Sequence, residues 1–141
     1  MSRARLLWWP LAGAALLAFA WAGFAPIHAA RDKLFEIPKG TYARRMAGDK
    51  VDILPAQIRL TVGLDDVLLL RNLDDVPQTF GPTIMMPGQS FRLPFEKPAE
   101  YQFECTAHTS GQMTVLVDPE PRWPWQKIRW RLRHWLESES Q

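Results

Sequence analysis

The segment Cys105-Thr106-Ala107-His108-Thr109-Ser110-Gly111-Gln112-Met113 places a thiol, an imidazole and a thioether within nine residues. The spacing is Cys-x2-His-x4-Met. Soft sulfur donors suit Cu(I), and imidazole suits both oxidation states of copper. Tyr101, Phe103 and Cys105 alternate with Gln102 and Glu104. That period puts Cys105 on the core face of a strand. Ser110-Gly111 turns the chain, and Met113 opens another alternating run with Val115 and Val117. One loop at the end of a β-structure would then present all three donors to one point. Two histidines and a cysteine in a trigonal set, with a long axial methionine, form the blue-copper electron-transfer arrangement. Each residue also has a plainer reading. Cys105 would serve as a small buried apolar residue, His108 as a surface loop histidine, and Met113 as strand core.

Cys105 is the only cysteine, so it has no internal disulfide partner. In an exported chain a lone thiol is exposed to oxidants and needs burial or a metal to protect it. Nucleophilic catalysis by a Cys105/His108 pair would require a third, orienting group. The sequence arranges none, and no enzyme is expected.

The surrounding residues read as β-structure. Gln57-Ile58-Arg59-Leu60-Thr61-Val62 alternates with period 2, as a strand with one buried face does. The run 67–70 is continuously apolar and predicts a central strand buried on both sides. Asn72-Leu73-Asp74-Asp75 and Pro87-Gly88 carry turn chemistry. Phe91 and Leu93 alternate after the second turn. Ile37-Pro38-Lys39-Gly40-Thr41 suggests an edge hairpin, and no stretch of 33–119 has the pattern of a long amphipathic helix. Short strands with turns at this spacing indicate an all-β sandwich or barrel.

The nonapeptide resembles the ligand loop of plastocyanin-like and pseudoazurin-like cupredoxins. The upstream text is similar to the same family: Ile58-x-Leu60-x-Val62-Gly63, a strand, then Asn72-x-Asp74-x-Val76-Pro77 leading to the family's first histidine ligand. The resemblance covers residues 50–118. It implies a Greek-key β-sandwich and one copper ion held by Cys105 as thiolate, His108 as the solvent-edge ligand and Met113 as axial ligand. Thr79 would occupy the position that often bonds the ligand loop. Gln78 stands where the family has histidine. His28 and His134 lie outside the domain and do not replace it. Three outcomes stay open: ligation by the Gln78 amide oxygen, a three-coordinate Cu(I) site of Cys105, His108 and Met113, or an empty site with the fold kept for docking. Met85-Met86 would line a loop packed on the domain, or assist copper capture.

The ends of the chain differ from its middle. Arg3 and Arg5 precede an uncharged run of 22 residues, 6–27. As a helix, a run of that length spans about 33 Å, enough to cross a bilayer. A basic start before an apolar stretch is an export signal. Small residues at cleavage spacing fall inside the run, which favours an uncleaved anchor. The basic end would stay cytoplasmic. The domains expected are a signal-anchor over 1–30, a cupredoxin-like domain over 31–120 and a basic helix over 121–141. In that last segment Trp125, Ile128, Leu132, Trp135 and Leu136 share one helical face. Five basic residues and two acidic ones accompany them. This pattern suits a helix lying in a membrane interface, with Trp125, Arg129, Leu132 and Trp135 at the headgroups. The same face would serve packing on the domain or docking to an integral membrane protein.

The net charge of +2 is concentrated at the ends. Nucleic-acid binding, which needs basic residues spread over a folded face, is not expected. The function implied is copper-dependent electron transfer or copper handling by a single-pass protein of the cytoplasmic membrane, its domain on the periplasmic side. Membrane lipid and an integral membrane or redox protein would be its partners. The alternative is a metal-free structural or assembly subunit docking to a membrane complex of the respiratory type.

Overall fold

A computed structural model describes residues 4–50 and 52–138, the side chains of 4–11 and 138 excepted. The elements run α1 (Ala4–Phe24), β1 (Asp32–Ile37), α2 (Thr41–Met46), β2 (Gln57–Thr61), β3 (Val67–Asn72), β4 (Gln78–Phe80), β5 (Thr83–Met85), β6 (Ser90–Pro94), β7 (Ala99–Glu104), β8 (Gln112–Asp118) and α3 (Pro124–Ser138). They fall into two compact units, 29–120 and the two chain ends together.

The unit 29–120 is a β-sandwich, as the resemblance implies. One sheet has the order β1-β3-β6 and the other β2-β8-β7, while β4 and β5 form a separate pair. The chain crosses between sheets after β1, after β2 and after β6. Crossovers of this kind allow parallel pairs in an otherwise antiparallel sandwich. Thus β1 lies parallel to β3, with Phe35 opposite Leu70, and β2 lies parallel to β8, with Leu60 opposite Val117.

The period-2 expectations hold. Ile58 and Leu60 of β2 and Met113, Val115 and Val117 of β8 are all buried. The apolar run 67–70 becomes β3, central in its sheet, with Val67, Leu68 and Leu70 buried and Leu69 partly so. Phe80 is fully buried and stacks on Phe103 at 4.8 Å between ring centroids. Between β4 and β5 the chain reverses at Gly81, whose φ of 54° is left-handed. A Cβ there would come within 2.9 Å of the Phe103 ring, so both the backbone and the space require glycine.

The expected edge hairpin at 37–41 is replaced by the end of β1 and the short helix α2. Gly40, at φ 80°, precedes the helix and gives it no side-chain cap. The Thr41 hydroxyl donates to the Pro38 carbonyl at 2.6 Å. The cap comes from 34 residues away, where the Asp74 carboxylate accepts the Gly40 N–H at 2.8 Å and the Tyr42 N–H at 2.9 Å. A carboxylate satisfying the first N–H groups stabilises a helix that its own residues would not hold.

In the other unit α3 (Pro124–Ser138) forms inside the expected segment 121–141. The Gln126 side chain accepts the N–H groups of Arg122 and Trp123 at its start. Arg131 donates to the carbonyls of Ala25 and Pro26, just past α1, and lies over the Trp21 ring at 5.7 Å. A Cβ at Gly23 of α1 would come within 2.9 Å of Pro124 and 3.7 Å of Ile128. Trp130, which the expected apolar face omitted, is 8% exposed and stacks on His134. Trp125, Leu132, Trp135 and Leu136 are exposed, as is Arg129. Along α1 the side chains of Leu16, Leu17, Phe19, Trp21 and Phe24 are all at least two-thirds exposed. Among the described residues no helix is long and apolar enough to cross a membrane. The expected span draws on 6–11, whose side chains lie outside the described residues.

Candidate metal centre

Three of the expected ligands lie along one stretch, Cys105 and His108 in the loop from β7 to β8 and Met113 at the start of β8. Cys105, His108 and Met113 are 2%, 4% and 1% exposed, and Gln78, at the start of β4, is 3% exposed. The ladder explains how they meet. Phe103 pairs with Met113, and the Cys105 N–H donates to Gly111 O at 2.9 Å, continuing the register. Cys105 and Met113 are therefore diagonal cross-strand neighbours on the interior face. On its other side Cys105 bridges Phe80, which makes Gln78 a second diagonal neighbour. Such a diagonal separates Cα atoms by about 7–8 Å, and Cβ atoms by somewhat less, within reach of long side chains.

The loop itself is a tight turn. His108 N–H donates to Cys105 O at 3.3 Å and Gly111 N–H to His108 O at 3.1 Å. Burial pushes the Cys105 thiol up, against the N–H groups of Ala107 and His108 and the Arg45 cation, which pull the other way. The metal-free chain thus carries Cys105 as a thiol. His108 Nδ1 lies 2.8 Å from Ser110 Oγ. Its Nε2 is buried without a hydrogen-bond partner, 3.6 Å from Asp52 Oδ2.

Gln78 is held at both ends of its amide. Nε2 donates to Asp74 at 3.1 Å, and Oε1 accepts the Thr106 hydroxyl at 2.8 Å. Thr106 Oγ1 in turn accepts the Thr79 N–H at 2.8 Å, and the Thr106 N–H donates to Thr79 O. Thr79 thus binds the ligand loop, as the resemblance implies. Asn72 braces the approach to Gln78. Its amide donates to the carbonyls of Val76 and Met85 and its oxygen accepts the Asp74 N–H. Burial raises the Asp74 carboxyl, but the N–H groups of Tyr42, Asp75 and Gly40 and the Gln78 amide outweigh it and hold it below the usual carboxylate range.

Two residues around the loop carried no signal in the sequence. Arg45 of α2 donates to three successive carbonyls: Thr106 O, His108 O at 2.8 Å and Ala107 O at 2.6 Å. Asp52 accepts the Thr109 hydroxyl and the Thr109 N–H, and these two bonds hold its carboxyl below the usual range. Together they close the loop's outer side, so His108 is interior where a solvent-edge position was expected. Only their distance in sequence hid them, since Arg45 lies 61 residues from Thr106 and Asp52 57 from Thr109.

The donor set fits a soft cation. One thiol, one thioether and one imidazole with an unsatisfied nitrogen are all buried at this end of the sandwich, and these types suit Cu(I). Among the described residues no group of three or more His, Cys, Asp and Glu side chains could hold a metal ion, so the set depends on the Met113 sulfur.

No family model matches the chain, and no curated protein matches it. Among solved structures it is similar to a novel purple cupredoxin from Nitrosopumilus maritimus, at 21% identity and a TM-score of 0.46, covering 62% of this chain and 100% of that one. It is also similar to a Cu(I) amicyanin variant, at 16% identity and a TM-score of 0.43, covering 62% and 82%. A second amicyanin variant, in the oxidized state, is similar at 17% identity and a TM-score of 0.42, covering 69% and 89%.

Proposed function

We propose that the chain is a membrane-tethered, cupredoxin-type protein that holds one copper ion through Cys105, His108 and Met113 and serves electron transfer or copper handling at the outer face of a cytoplasmic membrane. The observation that carries this reading is the burial of two sulfur donors and an imidazole at a single loop, with the His108 Nε2 left without a hydrogen bond. Copper held there would supply reversible one-electron chemistry.

The chain's own residues divide the work. Cys105 and Met113 offer sulfur from adjacent strands, and His108 offers its imidazole from the turn between them. Gln78 stays outside the ligand set in this reading, because Asp74 and Thr106 engage its amide. Its role is to join β4 to the ligand loop. The fully buried Phe80 shields the thiol from water on the strand side.

The membrane part rests on the apolar run 6–27 and on the exposed apolar side chains of α1 and α3. Exposed apolar area of this extent marks a surface that something covers. An acyl phase suits α1, and a headgroup zone suits the tryptophans and arginines of α3.

Anaerobic titration of the full chain in detergent with Cu(I) tests the copper reading. About one tightly bound ion per chain is expected, on the stoichiometry of a single-ion site. A thiolate-to-copper absorption band should appear on oxidation, and both should vanish in Cys105→Ala. Absence of tight binding in the native chain, with binding gained in Gln78→His, would favour the metal-free docking subunit instead.

A further inference from the structure

The ligand loop is shaped by a residue that belongs to no part of the donor set. In the turn 105–108 the carbonyls of Thr106, Ala107 and His108 converge on one point, and the Arg45 guanidinium occupies it. Three converging carbonyl dipoles repel one another unless a cation lies among them. A guanidinium suits the task, since its planar fork carries five N–H donors. Cys105 and His108 are the first and last residues of that same turn. Fixing the carbonyls therefore fixes the directions in which the thiol and the imidazole leave the backbone. The clamp is anchored in turn, because Asp74 caps α2 and bonds Gln78. Asp52 holds the next residue, Thr109, from the same side.

We propose that Arg45 is the positioning residue of the candidate copper site: it gives the loop its ligand-holding shape before any metal arrives. The inference rests on the copper reading for its purpose, but its geometry exists without metal. The hydrogen bonds of Arg45 go to the carbonyls of the turn, and its cation also acts on the Cys105 thiol through space.

The test compares the wild-type full chain with Arg45→Gln and Arg45→Lys, kept reduced and metal-free, by hydrogen exchange. In Arg45→Gln the amides of Cys105, His108 and Gly111 should exchange at least about tenfold faster, as expected when charge-assisted bonds are lost from a local opening unit. Amides of β3 and β8 should be unchanged. Arg45→Lys, which keeps the charge but cannot span three carbonyls, should fall between. Competition with a chromophoric chelator should show Cu(I) affinity at least about tenfold weaker in Arg45→Gln, at an unchanged urea midpoint. A residue that only stabilised the fold would move the midpoint instead. Unchanged loop exchange overturns the proposal, as does acceleration spread evenly over the sandwich in both variants. If the wild type takes no Cu(I), the copper reading falls, and the exchange comparison still decides whether Arg45 shapes the loop.

Discussion

The two compact units treat apolar side chains in opposite ways. In 29–120 a core of large ones turns inward, with Ile58, Leu60, Leu70, Phe80 and Val115 at most 1% exposed, while Met46 and Ile84 stand outside. In α1 and α3 comparable side chains stand outside, with Leu17 at 74% and Phe24 at 75%. The difference teaches what each unit needs. The sandwich buries much of its apolar surface against its own second sheet, whereas α1 and α3 leave much of theirs exposed. Composition does not separate the two cases. Length of the apolar run separates β3, whose run of four residues is largely buried, from the stretch 6–27 that supplies most of α1.

The comparison can be broken most directly by truncating one side chain in each unit. Phe80→Ala should cost the sandwich about 3–5 kcal/mol, as large-to-small changes in packed cores do. Leu17→Ala should change sandwich stability by less than about 0.5 kcal/mol. Urea unfolding of each full-length variant in detergent measures both. Similar losses in the two variants would show that the units do not differ as described.

A smaller effect sharpens the helical side of the comparison. With the chain in bilayers, trypsin cleavage after Arg129 should be slower in anionic than in neutral lipid. Attraction of about 1 kcal/mol per basic residue near an anionic surface corresponds to roughly fivefold protection. The protection should fade in high salt. Equal cleavage in both lipids would leave α3 without a headgroup role.

The smallest effect concerns pH and the sandwich alone. The Arg31 guanidinium bonds the Asp66 carboxylate at 2.9 Å through both oxygens, and with the Gly63 N–H it holds that carboxyl below its usual range against burial. A carboxyl with a lowered folded-state pKa contributes stability above its unfolded value, near 3.9 for aspartate, and loses it as pH falls through the folded value. Stability should therefore be level between about pH 5 and 7 with respect to this group and fall in more acid solution. Asp66→Asn should flatten the acid limb seen in denaturant midpoints. An unaltered limb would mean that the pair contributes nothing.

Sequence reading reached what local pattern encodes. Alternation gave β2 and β8 their buried faces, an unbroken apolar run marked β3, and the Cys-x2-His-x4-Met spacing marked the loop. Helix α2 escaped it because Gly40 is a poor start and the true cap, Asp74, is distant in the chain. His108 was expected at the solvent edge because nothing near it in sequence covers it, and Asp52 and Arg45 do so from the connection between β1 and β2. Trp130 escaped for a different reason. The helical face was drawn through the larger set of apolar residues, and a single tryptophan on the opposite side drew no weight.

The span between Arg45 and the carbonyls it holds also bears on the order in which the molecule comes together. Contacts between residues some sixty positions apart close a long stretch of chain, and such closures come after local strand pairs have formed. Until α2 docks, the turn that carries Cys105 is unclosed on its outer side. The chemical vulnerability of the only cysteine thus lasts until the core around it has packed and this turn has closed. A variant that slows that docking would be harmed first by oxidation during its maturation, and only later by any loss of finished structure.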